Sequence, residues 1–159
     1  MANSAEYRRL SLVISGGQTG ADRGGLEAAI VLGIPHGGWC PAGRRAEDGR
    51  IPDRYRLIEH SSSSYRPRTK SNIASADATI VFIQDEQYVT TGSLFTIREA
   101  ACQLKPCLVV EAFSSKAEAE VRAFLATHRP ESLNVAGSRE SRVPGIQAAV
   151  ANLLLKVWR

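Results

Sequence analysis

Ala78-Thr79-Ile80-Val81-Phe82-Ile83 is an apolar, β-branched-rich run without polar alternation. A strand with one wet face alternates. A strand with none is covered on both sides, as in the middle of a parallel sheet. This run therefore demands helices above and below it, and the flanking sequence supplies them. Leu10–Ser15 reads as a first strand, followed by a helix over about 20–32 whose apolar face holds Leu26, Ala29, Ile30 and Val31. Gly33 is its stop signal, with Pro35 just beyond. His36–Cys40 reads as a second strand. After the central strand come a helix at about 93–104, a strand at 107–111, and an amphipathic helix at 116–127 with Ala117, Val121, Phe124 and Leu125 facing inward. A strand at 132–136 and a helix opened by Pro144 complete the order. Strands and helices alternate, so the expected class is α/β: a Rossmann-like three-layer fold, mostly parallel, with helices on both faces. The length of 159 residues suits one ligand-binding domain over 1–159.

Between His36 and the central strand the periodicity disappears. Residues 41–65 are rich in Gly, Pro, Ser and Arg and read as a long excursion with at most a short strand near Arg56–Glu59. A weak helix is expected over 67–75. Residues 41–70 hold eight basic and four acidic side chains, and seven of the eight are arginines. The remainder of the chain is neutral. Arginine grips phosphate or carboxylate with two parallel donors. The same segment also reads as a solvated basic loop.

The turn Ser15-Gly16-Gly17-Gln18-Thr19-Gly20-Ala21-Asp22 joins the first strand to the first helix. Glycines here allow positive φ and close approach of a ligand, and a helix start presents N–H groups with a positive dipole end. It fits neither the dinucleotide fingerprint nor a P-loop. Thr19 as N-cap with Asp22 three residues on is the structural alternative. A second glycine turn, Thr90-Thr91-Gly92-Ser93, follows the central strand, with Ser93 or Thr91 as cap. Both turns fall at strand carboxyl ends, where open α/β sheets bind ligands. Arg66-Pro67-Arg68-Thr69-Lys70 opens the helix before the central strand and brings Arg68 to the same edge. The expected anion-binding set is Gly16, Gly17, Gln18, Thr19, Gly20, Asp22, Arg44, Arg68, Thr69, Asn72, Thr91, Gly92, Ser93 and Thr96, beneath a basic loop at 44–56 that closes over it.

Other groups read as structural. His36, His60 and His128 lack metal-ligand spacing. Glu47-Asp48 reads as a salt-bridged loop, with cation binding or acid–base work as the alternative. Trp39 is a candidate stacking platform, and Cys40 a buried, inert thiol. Three cysteines without a C-x-x-C pair fit a reducing compartment. Met1–Glu6 lacks a secretory pattern, so a cytoplasmic protein without membrane association is expected. Aromatic residues are 6% of the chain and do not interleave with the basic ones, which makes nucleic acid the weakest partner class.

Ile14–Arg23 resembles the opening motif of the bacterial molybdenum carrier family. So do Gly33–Pro41, Gly43–Gly49, Tyr65–Asn72, Ser75–Thr79, Thr91–Ser93, Lys105-Pro106, Asn134–Gly137 and Arg139–Ser141. The resemblance covers about residues 11–150. It implies a non-catalytic carrier with a Rossmann-like fold, molybdenum cofactor or molybdate as its cargo, a pterin phosphate or nucleotide as the ligand type, and a homo-oligomer (dimer or tetramer). A wider resemblance is to the lysine-decarboxylase-like phosphoribohydrolases, which release a base from a nucleoside monophosphate. Gly92, Thr96 and Glu99 fit their P-G-G-x-G-T-x-x-E motif, while Ser93 and Phe95 replace glycines. That resemblance implies Arg68 and Glu99 as catalytic residues. A nucleic-acid-associated module is the third reading, from the basic segment alone.

Overall fold

A computed structural model describes residues 10–159; the segment Met1–Glu6 lies outside the described residues. Five parallel strands form the main sheet: β1 (Leu12–Ile14), β2 (His36–Gly37), β7 (Ala78–Ile83), β8 (Cys107–Glu111) and β9 (Ser132–Gly137), in the order β2-β1-β9-β7-β8. Helices α1 (Ala21–Leu32), α4 (Ala117–His128) and α5 (Ile146–Trp158) bury one face of it. Helices α2 (Tyr65–Ser75) and α3 (Thr91–Cys102) cover the other. The expected α/β Rossmann-like arrangement is what the chain adopts.

Side chains alternate across the sheet and split it chemically. Ile80 and Phe82 of β7, Leu133 and Val135 of β9 and Val13 of β1 join the apolar core under α1, α4 and α5. Their neighbours Thr79 and Asn134 turn toward α2 and α3 and are fully buried or nearly so. Thr79 and Asn134 sit in register, and Asn134 Nδ2 donates to Thr79 Oγ1 at 3.3 Å. The sheet thus has one apolar face and one face with a polar centre.

Several local expectations need correction. Leu26 and Ala29 are buried as expected, but Val31 is 60% exposed and Ile30 half-buried, so the buried stripe of α1 is narrower than its large side chains suggest. Gly24 and Gly25 belong to it: a Cβ there would meet Val150 at 2.9 Å and Val135 at 2.7 Å, so α5 and β9 press on the bare backbone. The strand expected at 36–40 is two strands. Gly38, at φ 125° against the backbone of Ser15, breaks it, and β3 (Trp39–Cys40) pairs with β6 (Ile58–Glu59) in a separate sheet.

The excursion over 41–65 is also more ordered than its composition indicates. Strands β4 (Arg45–Ala46) and β5 (Gly49–Arg50) form a hairpin around Glu47-Asp48. Cys40, Ala46, Ile51 and Tyr55 bury a second small apolar cluster with Leu26. This segment is packed against α1 and the glycine turn. Arg23 pairs with Asp48 through two bonds of 2.6 and 2.9 Å, and Arg54 and Tyr55 both bond Glu27.

Helices α2 and α3 each begin two residues earlier than expected, at Tyr65 and Thr91. Among the described residues no helix is long and apolar enough to cross a membrane.

Candidate functional site

β9 enters the sheet between β1 and β7, after the chain has already built both. The carboxyl ends of β1 and β7 therefore face each other across β9, and a cleft opens there. It holds a cavity of about 650 Å³. Its walls are the glycine turn, the first turns of α2 and α3, and the end of β9 with the loop that follows.

The glycine turn contributes Gly16, Gln18 and Asp22 to this cavity. Asp22 is 5% exposed; its Oδ2 accepts from Gln18 N–H at 3.1 Å and from Arg68 Nη1 at 3.3 Å. Burial pushes the Asp22 pKa above the ordinary carboxylate value, against the opposing pull of Arg68, the Gln18 N–H and Arg23. The guanidinium of Arg68 lies directly over Gly16, where a Cβ would stand 1.3 Å from Nη1. Gly16 is thus the seat of Arg68.

Gly17, Thr19 and Gly20 do not line the cavity. Gly17 packs against Ile51 and Leu57, and Gly20, at φ 86°, against the backbone of Ser138–Glu140. The expected capping box is absent for the same reason. The loop after β9 reaches the helix start first, with Ala21 N–H donating to Ser138 O at 3.0 Å. Gly20 is the N-cap, without a side-chain bond. Thr19 turns its hydroxyl to Glu47 and accepts from Glu140 N–H at 3.2 Å.

Helix α2 brings Tyr65, Arg66, Arg68, Thr69 and Asn72 to the cavity. The Asn72 amide is committed to Trp39, accepting from its N–H at 2.7 Å and donating to its carbonyl at 2.9 Å. Helix α3 brings Thr91, Gly92, Ser93 and Thr96. Thr90 is its N-cap rather than Thr91 or Ser93, accepting from Ser93 N–H at 3.2 Å. Thr90 is extended, as an N-cap must be, while Thr91 and Ser93 are already helical.

Two expected residues stand elsewhere. Glu99 is not in the cavity lining, and its Oε1 accepts from Gln103 Nε2 at 3.1 Å. Arg44 is 8% exposed and folded into the 41–59 segment. It donates to the carbonyls of Ile51, Pro52 and Tyr55 at 3.1, 2.9 and 2.7 Å, which replaces its expected anion contact. Arg44→Ala strands these acceptors. A loss of about 2–3 kcal/mol in urea denaturation is the expected outcome. Arg44→Lys should not restore it, because one ammonium cannot span the fork.

Several lining residues fall outside the expected set, among them Tyr65, Arg66, Asn134, Arg139 and Arg142. Around the Tyr65 ring three guanidinium groups gather, those of Arg45, Arg68 and Arg139, at 5.4, 5.6 and 5.4 Å from its centroid. Arg66 covers Phe95 at 4.9 Å. No local pattern marks Arg139 and Arg142, which arrive through the insertion of β9. The one hint is the family resemblance at Asn134–Gly137 and Arg139–Ser141. Glu47 fixes this loop, accepting from Ser141 N–H at 3.2 Å and lying 3.8 Å from Arg139. Burial pushes the Glu47 pKa up, but bonds from Ser141 and Thr19 with the Arg139 charge outweigh it and hold it low.

The cavity lining holds Arg66, Arg68, Arg139 and Arg142 against one carboxylate, Asp22. Two buried donors on it have no partner among the described residues, Gln18 Nε2 and Arg68 Nε. The Gln18 amide orientation is set by its oxygen, which accepts from the N–H groups of Thr19 and Glu47 at 3.1 and 2.9 Å. An orphaned buried donor costs about 1–3 kcal/mol, and a bound acceptor removes that cost. Among the described residues no group of three His, Cys, Asp or Glu is placed to hold a metal ion.

The cysteines lie away from this chemistry. Cys40 is buried, Cys102 exposed, and burial pushes the Cys107 thiol up to about 11. Iodoacetamide near pH 8 should therefore alkylate Cys102 in the native protein at least tenfold faster than Cys40 or Cys107, since the thiolate is the nucleophile. Peptide mapping reads the order.

A family model described as the circularly permutated YpsA SLOG family matches residues 13–158. The chain belongs to that family. It is also similar to a crystal structure of a putative molybdenum carrier protein from Syntrophus aciditrophicus SB, at 38% identity and a TM-score of 0.88, covering 94% of this chain and 95% of that one. The resemblance to the molybdenum carrier family read from the motifs holds over nearly the whole chain. No functionally curated protein matches it.

Proposed function

We propose that this protein binds and carries a small organic anion bearing a phosphate, of the size of a nucleotide or a pterin phosphate. The observation that carries this reading is the lining itself: four arginines and two unpartnered buried donors around one cavity of about 650 Å³. That volume falls in the range of organic ligand sites, about 300–1,000 Å³. The first turn of α3 adds Thr91, Gly92 and Ser93 at the same wall, where a helix dipole favours negative charge.

The carrier sense comes from the similar protein of Syntrophus. Molybdenum cofactor would fit this lining through its pterin phosphate, with Arg66, Arg139 and Arg142 as the phosphate partners and Gln18 Nε2 as a donor to the ring system. Molybdate alone would meet the same arginines. The hydrolase reading needs a carboxylate at the sugar, and Glu99, the residue it names, points its bond to Gln103 instead.

Native mass spectrometry of protein taken directly from cells tests the proposal, followed by titration with a nucleoside monophosphate, a pterin phosphate and molybdate. One of the organic phosphates should bind and be recovered unchanged. Absence of binding to all three overturns it.

A further inference from the structure

The cavity sorts its polar groups by depth. Asp22, Gln18 and Asn134 are buried and form the floor, beside Arg68. Arg66 and Arg142 are exposed and Arg139 is half-buried, and these three form the rim. The Arg68 charge is already met by Asp22 at 3.3 Å. The floor's remaining capacity is of both kinds, accepting and donating. Among the described residues Asp22 accepts through Oδ2, and Asn134 donates its amide to Thr79 at 3.3 Å, which leaves an Oδ1 on each as an acceptor. Gln18 Nε2 is the one unpartnered donor there besides Arg68 Nε.

A phosphate oxygen pressed onto this floor would meet a buried carboxylate, and like charges at low dielectric repel strongly. A hydroxyl, which donates and accepts, would find acceptors in Asp22 and Asn134 and donors in Gln18 Nε2 and Arg68 Nε, and an N–H would find the two acceptors. The rim is the reverse: three arginines, with no acid in the cavity lining but Asp22 below.

We propose that Asp22 is a specificity-determining residue that selects ligands carrying hydroxyl or N–H donors at the end opposite their anionic group. The ligand lies with its donor-bearing end against Asp22 and Asn134 and its phosphate at Arg66, Arg139 and Arg142. A bare tetrahedral oxyanion reaches the rim, and on the floor its charge meets the Asp22 carboxylate. This rests on the anion-binding reading above and adds the orientation and the selecting residue. Burial raises the Asp22 pKa although Arg68, the Gln18 N–H and Arg23 pull it down, a perturbation of the kind found at binding sites.

Isothermal titration with inorganic phosphate, molybdate and ribose 5-phosphate tests it. Ribose 5-phosphate supplies hydroxyl donors at the end opposite its phosphate. It should bind the unmodified protein at least tenfold more tightly than inorganic phosphate, and molybdate should follow inorganic phosphate. Asp22→Asn should weaken ribose 5-phosphate about tenfold while leaving inorganic phosphate unchanged or tighter, because Arg68 loses its counter-charge. Equal affinity of the unmodified protein for ribose 5-phosphate and inorganic phosphate overturns the orientation and leaves the anion site standing. So does an equal loss of both in Asp22→Asn. Binding of none of the three probes overturns both readings. The comparison within the unmodified protein needs no variant, so it stands even if Asp22→Asn fails to fold.

Discussion

Gly137→Ala is expected to remove about 3 kcal/mol or more of stability, a large share of the roughly 5–15 kcal/mol by which such proteins are folded. Gly137 ends β9 opposite Phe82 of β7. A Cβ there would stand 2.1 Å from Phe82 O and 2.8 Å from both Phe82 N and the Ala21 Cβ. The residue also sits at φ 149°. Neither neighbour can retreat. Phe82 O accepts from Ser138 N–H at 2.9 Å, and Ala21 N–H holds Ser138 O at 3.0 Å. Moving any of them separates β9 from β7 in the centre of the sheet. Gly145→Ala is the control, at φ 90° with open space around it. It carries backbone strain alone, about 1–2 kcal/mol. Urea denaturation should show a lower midpoint for Gly137→Ala at unchanged slope. A loss no greater than that of Gly145→Ala would refute the close-approach account.

Arg68→Ala is expected to cost about 3 kcal/mol of stability and to weaken binding of a ligand that reaches the cavity floor, because Arg68 holds Asp22 there. Arg68 and Asp22 are 9% and 5% exposed, and removing one partner leaves the other charge buried without compensation. The double variant Arg68→Ala with Asp22→Asn should recover a large part of that loss, since no charge then remains to be paired. Full additivity of the two substitutions would show that the pair is not coupled. The penalty also depends on pH. Burial already raises the Asp22 pKa above its ordinary value, against the pull of Arg68, and loss of Arg68 raises it further. A raised folded-state pKa means that the folded chain holds the proton more readily than the unfolded one. The Asp22 contribution is therefore fully present below the ordinary carboxylate range and is lost as pH rises through the folded value. Arg68→Ala should lie nearest its parent at acid pH and furthest at neutral pH. Gly16→Ala should produce a related defect by expelling the guanidinium that covers Gly16.

Much of the fold is legible in the residues because the signals are local. The apolar run 78–83 is the buried strand β7, and Gly33 closes α1 in the left-handed conformation at φ 68°. The excursion at 41–65 is less legible. Its order comes from contacts with α1 and the glycine turn, such as Arg23 with Asp48 and Arg54 with Glu27, rather than from its own periodicity. Arg44 shows the same limit. Its residue type suits an anion, but three backbone carbonyls within the segment surround it.

The sequence by itself determined a parallel α/β sheet, two glycine turns at strand carboxyl ends and an arginine-rich approach to them. Period and turn chemistry act between near neighbours and need no knowledge of the rest of the chain. Only the tertiary structure decided what those turns serve. β9 inserts between β1 and β7, bringing Asn134, Arg139 and Arg142 to residues more than sixty positions away in sequence. Arg68 then occupies the space over Gly16 and meets Asp22, and the loop after β9 packs on Gly20. Strand order and charge pairing are set by which distant surfaces bury together, and no local period encodes that choice.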